Sequence, residues 1–228
     1  VFAFADEVGR EKAAVAAEAA KRINPTIEIE VLGENVVHHP ERIASRIGYM
    51  SQKFSLYPDL SVQQNLEFFA GAYGLGGRTR REAVGRMKEG FGLEPFAASN
   101  AGELPLGFKQ RLALACAIMH GPAVLFLDEP TSGVDPLTRR EFWSHINAMA
   151  GQGVTVLVTT HFMDEAEYCD RIAIQDAGKM LALGTPAQVR EQAGGDGNTM
   201  NNAFIAIVEQ GRAAHSQPDG NTKQEAQA

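Results

Sequence analysis

Asp128-Glu129 directly follows the apolar run Ala123-Val124-Leu125-Phe126-Leu127, and Thr159-Thr160-His161 closes the run that starts at Val154. In open parallel sheets, ligands bind at the carboxyl ends of the strands. Carboxylates at one strand end and an imidazole at another suit a Mg²⁺-nucleotide. The first carboxylate can hold the metal or its water, and the second can polarise an attacking water. An isolated Asp-Glu pair serves equally well to end a strand, so the pair alone leaves both readings open.

The elements that must position these groups can be read around them. Ala123–Leu127 and Val154–Thr159 are continuous apolar runs, and Pro136–Ala150 between them has helical composition with proline in its first turn. Two unalternating strands joined by a helix predict a βαβ unit inside a parallel sheet covered on both faces. Ile47–Met50 is a further short strand. Ser61 is placed as the N-cap of a helix whose apolar face holds Val62, Leu66, Phe69 and Ala70. Arg78–Gly90 is a charged helix, and Gln110–Met119 is apolar on nearly all sides, hence a buried one. Val1–Ala5 reads as a strand, Gly9–Ile23 as a helix and Ile27–Val31 as a half-exposed strand closed by Gly33. Asp164–Cys169 reads as a short helix, Ile172–Ile174 as a strand, and Lys179–Gly184 with Pro186 as a closing hairpin and helix.

Four longer segments turn single residues into an ordered set. They are IGYMSQKFSLYPDLSVQQNLEFFAGAYGL from Ile47, ELPLGFKQRLALACAIMHGP from Glu103, AVLFLDEPTSGVDP from Ala123 and VTVLVTTHFMDEAEYCDRI from Val154. In order and spacing this resembles the nucleotide-binding domain of ABC transporters, from Ile29 to Leu183. The form is most similar to multidrug-type ATPases with two such domains in one chain, in particular the C-terminal one. The resemblance implies an α/β, P-loop NTPase-like ABC ATPase domain: a mostly parallel sheet with an inserted helical subdomain at about residues 55–115. That domain would span residues 1–210, with its first strands before Val1 and a disordered tail over residues 211–228.

The same resemblance implies roles. Gln52 becomes the Q-loop glutamine, contacting Mg²⁺ and the attacking water. Phe54–Leu60 forms part of the groove for a cytoplasmic helix of the membrane subunit. Asp128 becomes the Walker B aspartate on Mg²⁺, and Glu129 the general base. Ser132-Gly133-Val134-Asp135 becomes the D-loop facing the opposite domain, and His161 the switch histidine on the γ-phosphate. The implied cofactors are ATP and Mg²⁺. The implied partners are transmembrane permease subunits and a second ABC ATPase domain, at the cytoplasmic face of the inner or plasma membrane. The implied function is coupling ATP binding and hydrolysis to export; the alternative is a catalytically impaired half that dimerises with an active one.

Two departures bear on that alternative. The family's signature Leu-Ser-Gly-Gly-Gln is here Leu104-Pro105-Leu106-Gly107-Phe108, which leaves Gly107 and the following helix N-terminus as donors to a phosphate of the partner site. A P-loop requires G-x-x-x-x-G-K-[ST], and no such string occurs. Counting back from Pro25 places Asp6-Glu7-Val8-Gly9-Arg10-Glu11-Lys12-Ala13 there. Gly9 and Lys12 remain as candidate phosphate contacts, whereas Glu11 brings a repulsive carboxylate and Ala13 lacks the hydroxyl. Lys12 also reads as an ordinary exposed helix lysine.

Composition narrows the classes. Lys+Arg is 21 against Asp+Glu 28, a net charge of −7, which argues against a nucleic-acid partner. Cys116 and Cys169 are expected as reduced thiols. The longest apolar stretch, Leu112–Met119, is too short to span a bilayer.

Overall fold

The computed structural model describes residues 30–35, 38–194 and 199–215. The strand expected at Val1–Ala5, the helix at Gly9–Ile23 and the candidates Gly9 and Lys12 lie outside the described residues. The chain divides into two compact units, Val1–Thr159 and Thr160–Ala228.

In the first unit, β1 (Glu30–Val31) and β2 (Glu34–Asn35) pair antiparallel around Leu32 and Gly33, both at positive φ, as a tight two-residue hairpin demands. After α1 (Pro40–Ala44) come β3 (Ile47–Met50), α2 (Val62–Ala72), α3 (Gly77–Gly90), α4 (Leu106–Ile118), β4 (Val124–Asp128), α5 (Pro136–Gly151) and β5 (Thr155–Thr159). The three longer strands form a parallel sheet in the order β3-β4-β5. The β4-α5-β5 crossover is the βαβ unit read from the sequence. Residues 55–115 hold α2, α3 and most of α4.

One sheet face is closed. Leu125 and Leu127 are essentially inaccessible, and α4 lies so near Gly48 that a Cβ there would come 2.3 Å from the Ala117 carbonyl oxygen. The described residues leave the other face less covered. Among the described residues β5 is an edge strand, and Leu157 is 54% exposed. A continuous apolar run signals two buried faces, but here the described residues supply cover for only one.

Local chemistry sets the helices. Ser61 caps α2 as expected and forms a full capping box with Gln64. Asn65, fully buried on the same helix, donates to the Tyr57, Leu60 and Ser61 carbonyls and accepts from the Tyr57 amide, fixing the loop before the helix. The helix α4 starts four residues earlier than the Gln110 read from the sequence. Pro105 sits at its N-cap with an extended ψ of 149°, and its carbonyl accepts from both Phe108 and Lys109. Leu-Pro-Leu-Gly looks like a helix breaker, yet proline's missing N–H costs nothing at a helix start.

His120 follows α4. Its ring stacks on Tyr73 at 3.7 Å, and its Nε2–H donates to the Ile47 carbonyl at 3.1 Å. Burial holds its pKa below the usual imidazole value, opposed by the smaller effect of that carbonyl. The unfolded chain therefore takes up a proton at higher pH than the folded one. Stability is full above about pH 6.5 and falls as pH drops through that value toward the folded-state pKa. Urea midpoints should decline between neutral and mildly acidic pH, and His120→Phe should shrink that decline.

The second unit is built on β6 (Ile172–Asp176) and β7 (Lys179–Gly184), an antiparallel hairpin turned by Ala177 and Gly178 at positive φ. The helices α6 (Pro186–Gln192) and α7 (Met200–His215) pack on it, burying Ile174, Val189, Ala203 and Ile207. The helix expected at Asp164–Cys169 is a 3₁₀ turn, Glu165–Tyr168. The tail expected to be disordered from Gly211 begins inside α7, which runs to His215 and in which Arg212 pairs with Asp176 at 2.8 Å. Residues 216–228 lie outside the described residues. Both cysteines are free thiols, and burial raises the pKa of each.

Candidate functional site

Parallel register brings three strand ends level. Met50 pairs with Leu127, and Asp128 pairs with Thr159, so the residues just beyond β3, β4 and β5 leave the sheet side by side. Gln52 and Glu129, separated by 77 positions in the chain, meet there: Gln52 Nε2 donates to Glu129 Oε2 at 2.7 Å. Thr159 Oγ1 donates to Asp128 Oδ1 at 2.6 Å and accepts from the Glu129 amide at 3.2 Å, while that amide also donates to the Thr159 carbonyl at 3.0 Å.

Glu129 has φ of 44°, a conformation that costs a side-chain-bearing residue and is held only where its surroundings fix it. The Thr159 bonds provide that hold. Thr159 is therefore a positioning residue that the sequence reading passed over, taking it only as a strand end. The available signal was the register: a hydroxyl directly opposite Asp128. Thr159→Val keeps the shape and removes both side-chain bonds. It should cost about 1–2 kcal/mol in urea unfolding.

Tyr49, on the adjoining strand, has its phenol pKa raised by burial and then by the Asp128 charge. Asp128 and Gln52 both carry oxygen acceptors of the kind a Mg²⁺ ion takes. That ion takes oxygen ligands, keeps several waters and needs only one or two protein groups. The Gln52 amide nitrogen is spent on Glu129, which leaves its carbonyl oxygen as the acceptor. Among the described residues no group of three or more His, Cys, Asp or Glu could enclose a metal.

The remaining candidates are placed elsewhere. Gly107 lies in the first turn of α4, where a Cβ would come 3.0 Å from Thr138 Cγ2 on α5. Close packing of α4 on α5 therefore accounts for that glycine. Asp135 is the N-cap of α5, accepting from the Leu137 and Thr138 amides at 3.1 and 3.0 Å. Bonds from the Thr138 hydroxyl and these amides hold its carboxyl below the usual aspartate range. His161 belongs to the second unit, exposed, with its ring 4.1 Å from that of Phe162. Nearby, Thr160 Oγ1 donates to the fully buried Glu165 at 2.6 Å. Beyond Gln52 the loop of residues 54–60 carries Tyr57 against Phe68 at 4.7 Å edge to face, each 46% exposed. Lys109 Nζ lies 5.7 Å over the Phe54 ring.

The family model for ABC transporters matches residues 18–132, half of the chain and both strand-end carboxylates. The chain belongs to the ABC transporter family. Among its relatives in that family, it is 57% identical over 189 residues to the probable multidrug ABC transporter ATP-binding protein YbhF of Escherichia coli K12. It is 38% identical over 169 residues to the daunorubicin resistance ATP-binding protein DrrA3 of Streptomyces coeruleorubidus. The matches take 82% and 74% of this chain but span only 33% and 54% of those proteins. Among solved ABC structures, an ATP-binding subunit of an ABC transporter superposes with a TM-score of 0.72 at 26% identity, covering 86% of this chain and 84% of that one. A dimeric post-hydrolysis state of the ATP-binding cassette MJ0796, bound to ADP and Pi, gives a TM-score of 0.63 at 25% identity over 69% of this chain and 72% of its own. The α/β fold with a parallel sheet is thus the ABC ATPase fold. Among the described residues no helix is long and apolar enough to cross a membrane.

Proposed function

We propose that this chain is the ATP-binding and ATP-hydrolysing part of a multidrug-type ABC exporter. The observation that carries the reading is the meeting of Gln52 and Glu129 at 2.7 Å, beside Asp128, at the ends of three parallel strands. Asp128 and Gln52 would hold Mg²⁺. When bound, Mg²⁺ neutralises charge on the phosphate oxygens of ATP. Glu129 Oε2 accepts the proton of the attacking water, and Gln52 Nε2 keeps that carboxylate in place. The role given to His161, donating to the γ-phosphate, rests on the sequence resemblance alone.

Partners follow from the same reading. The exposed Tyr57–Phe68 surface offers apolar area to a helix of a permease subunit. The first turn of α4 and Asp135 at the start of α5 would face a second ABC domain, with Gly107 and the α4 amides toward the phosphate held there. The assembly would work at the cytoplasmic face of the inner or plasma membrane, without a nucleic-acid partner. Mg-dependent ATP hydrolysis by the chain assembled with its permease and second ABC domain tests the proposal; an assembly with no turnover would refute it.

A second reading is favoured by one observation: Asp6–Ala13, the stretch aligned with the P-loop, lacks its serine or threonine and carries Glu11. The chain would then be a binding half whose partner hydrolyses ATP. Micromolar ATP binding by this chain would count against that reading, because Glu11 and the missing hydroxyl both weaken a phosphate site.

A further inference from the structure

We propose that the cleft between α2 and α3 is a binding site for a phosphate-bearing anion, separate from the strand-end site. The cavity is about 430 Å³, within the range of small-molecule sites. Arg80, Arg81 and Lys88 of α3 line it, facing Gln63 and Glu67 of α2. The chain as a whole is acidic, at −7, yet α3 holds Arg78, Arg80, Arg81, Arg86 and Lys88 against only Glu82 and Glu89.

The cations on this helix divide in a telling way. Arg78 is paired with Glu82 at 2.6 Å, and Lys88 lies 3.3 Å from Glu94. Among the described residues Arg80 and Arg81 have no ion-pair partner. The Glu67 carboxylate accepts from Gln63 Nε2 at 2.6 Å. The lining therefore carries an excess of positive charge, with two guanidinium forks open to a ligand. Guanidinium forks match phosphate oxygens two at a time.

Gly85 supplies the second line of argument. It lies inside α3, where glycine is unfavourable, and it lines the cleft. A Cβ at this position would meet nothing within 4 Å, so packing gives no reason for the missing side chain. Its absence keeps the floor of the cleft open beside the two arginines. The phosphate could belong to a soluble metabolite or to a lipid headgroup, and the two sources are separable.

The full chain should be titrated calorimetrically with inorganic pyrophosphate in EDTA, and tested for cosedimentation with phosphatidylglycerol-containing vesicles. Two variants serve both arms: R80Q/R81Q and Gly85→Leu. Arg81 is exposed, Arg80 half-buried and Gly85 open to an added Cβ, and thermal melts verify the folding of both variants. Pyrophosphate binding that R80Q/R81Q weakens roughly tenfold or more, and that Gly85→Leu also abolishes, supports the site with a soluble ligand. Vesicle binding without pyrophosphate binding, again weakened by R80Q/R81Q, supports the lipid source. Binding of neither probe overturns the proposal, as does equal binding by wild type and both variants. Binding of polyglutamate alone would assign the cleft to an acidic protein segment and overturn it as well.

Discussion

Glu129→Gln should abolish ATP hydrolysis by the assembled transporter, a loss of about 10²–10⁴-fold in turnover, while leaving nucleotide binding intact. The expectation follows from how this one carboxylate is held. Its backbone is fixed at φ of 44° by bonds from its amide to Thr159, and Oε2 receives the Gln52 amide at 2.7 Å. Glutamine has the same shape and can keep a contact with Gln52, so the loop should stay in place. What it lacks is a basic oxygen to take the water's proton. Steady-state turnover and equilibrium binding measured on the same preparation separate these effects. A variant that retains turnover within tenfold of wild type would remove Glu129 from the base role.

The largest stability effect should come from Gly48→Ala. Glycine in a strand interior is weakening unless something needs the space, and here α4 does. The added Cβ would come 2.3 Å from the Ala117 carbonyl oxygen and 2.8 Å from Leu125 Cδ1. The first of these is helix backbone, which cannot swing aside as a flexible side chain can. Relief requires α4 to move off the sheet, so the cost should reach about 3 kcal/mol or more in urea unfolding. Gly85→Ala is the internal contrast. Its Cβ meets nothing, and alanine should stabilise the helix by up to about 1 kcal/mol. If Gly48→Ala unfolds at the same urea concentration as wild type, the packing of α4 on β3 is not as described.

Much of the site was legible because its parts are local in sequence. Asp128-Glu129 ends a continuous apolar run of strand length, and the Ser61 cap is written in Ser61 and Gln64. The contact between Gln52 and Glu129 was not readable from composition or spacing, since it exists only once β3 and β4 take their parallel register. The same is true of Thr159, whose role depends on lying across from Asp128. Gly107 was legible only in part: its place near a helix start could be read from the sequence, whereas its packing against Thr138 exists only once α4 and α5 meet. The start of α4 was misread because proline and glycine break helices in their interior and not at their first turn.

On the proposed reading, the ends of β3, β4 and β5 form a working nucleotide site in this chain. Equilibrium titration with labelled ATP, in Mg²⁺ and in EDTA, tests it on wild type and Asp128→Asn. Wild type should bind at micromolar concentration in Mg²⁺ and more weakly in EDTA, and the Asp128→Asn protein should lose that Mg²⁺ dependence. No binding by wild type, or binding that neither EDTA nor Asp128→Asn alters, would contradict it.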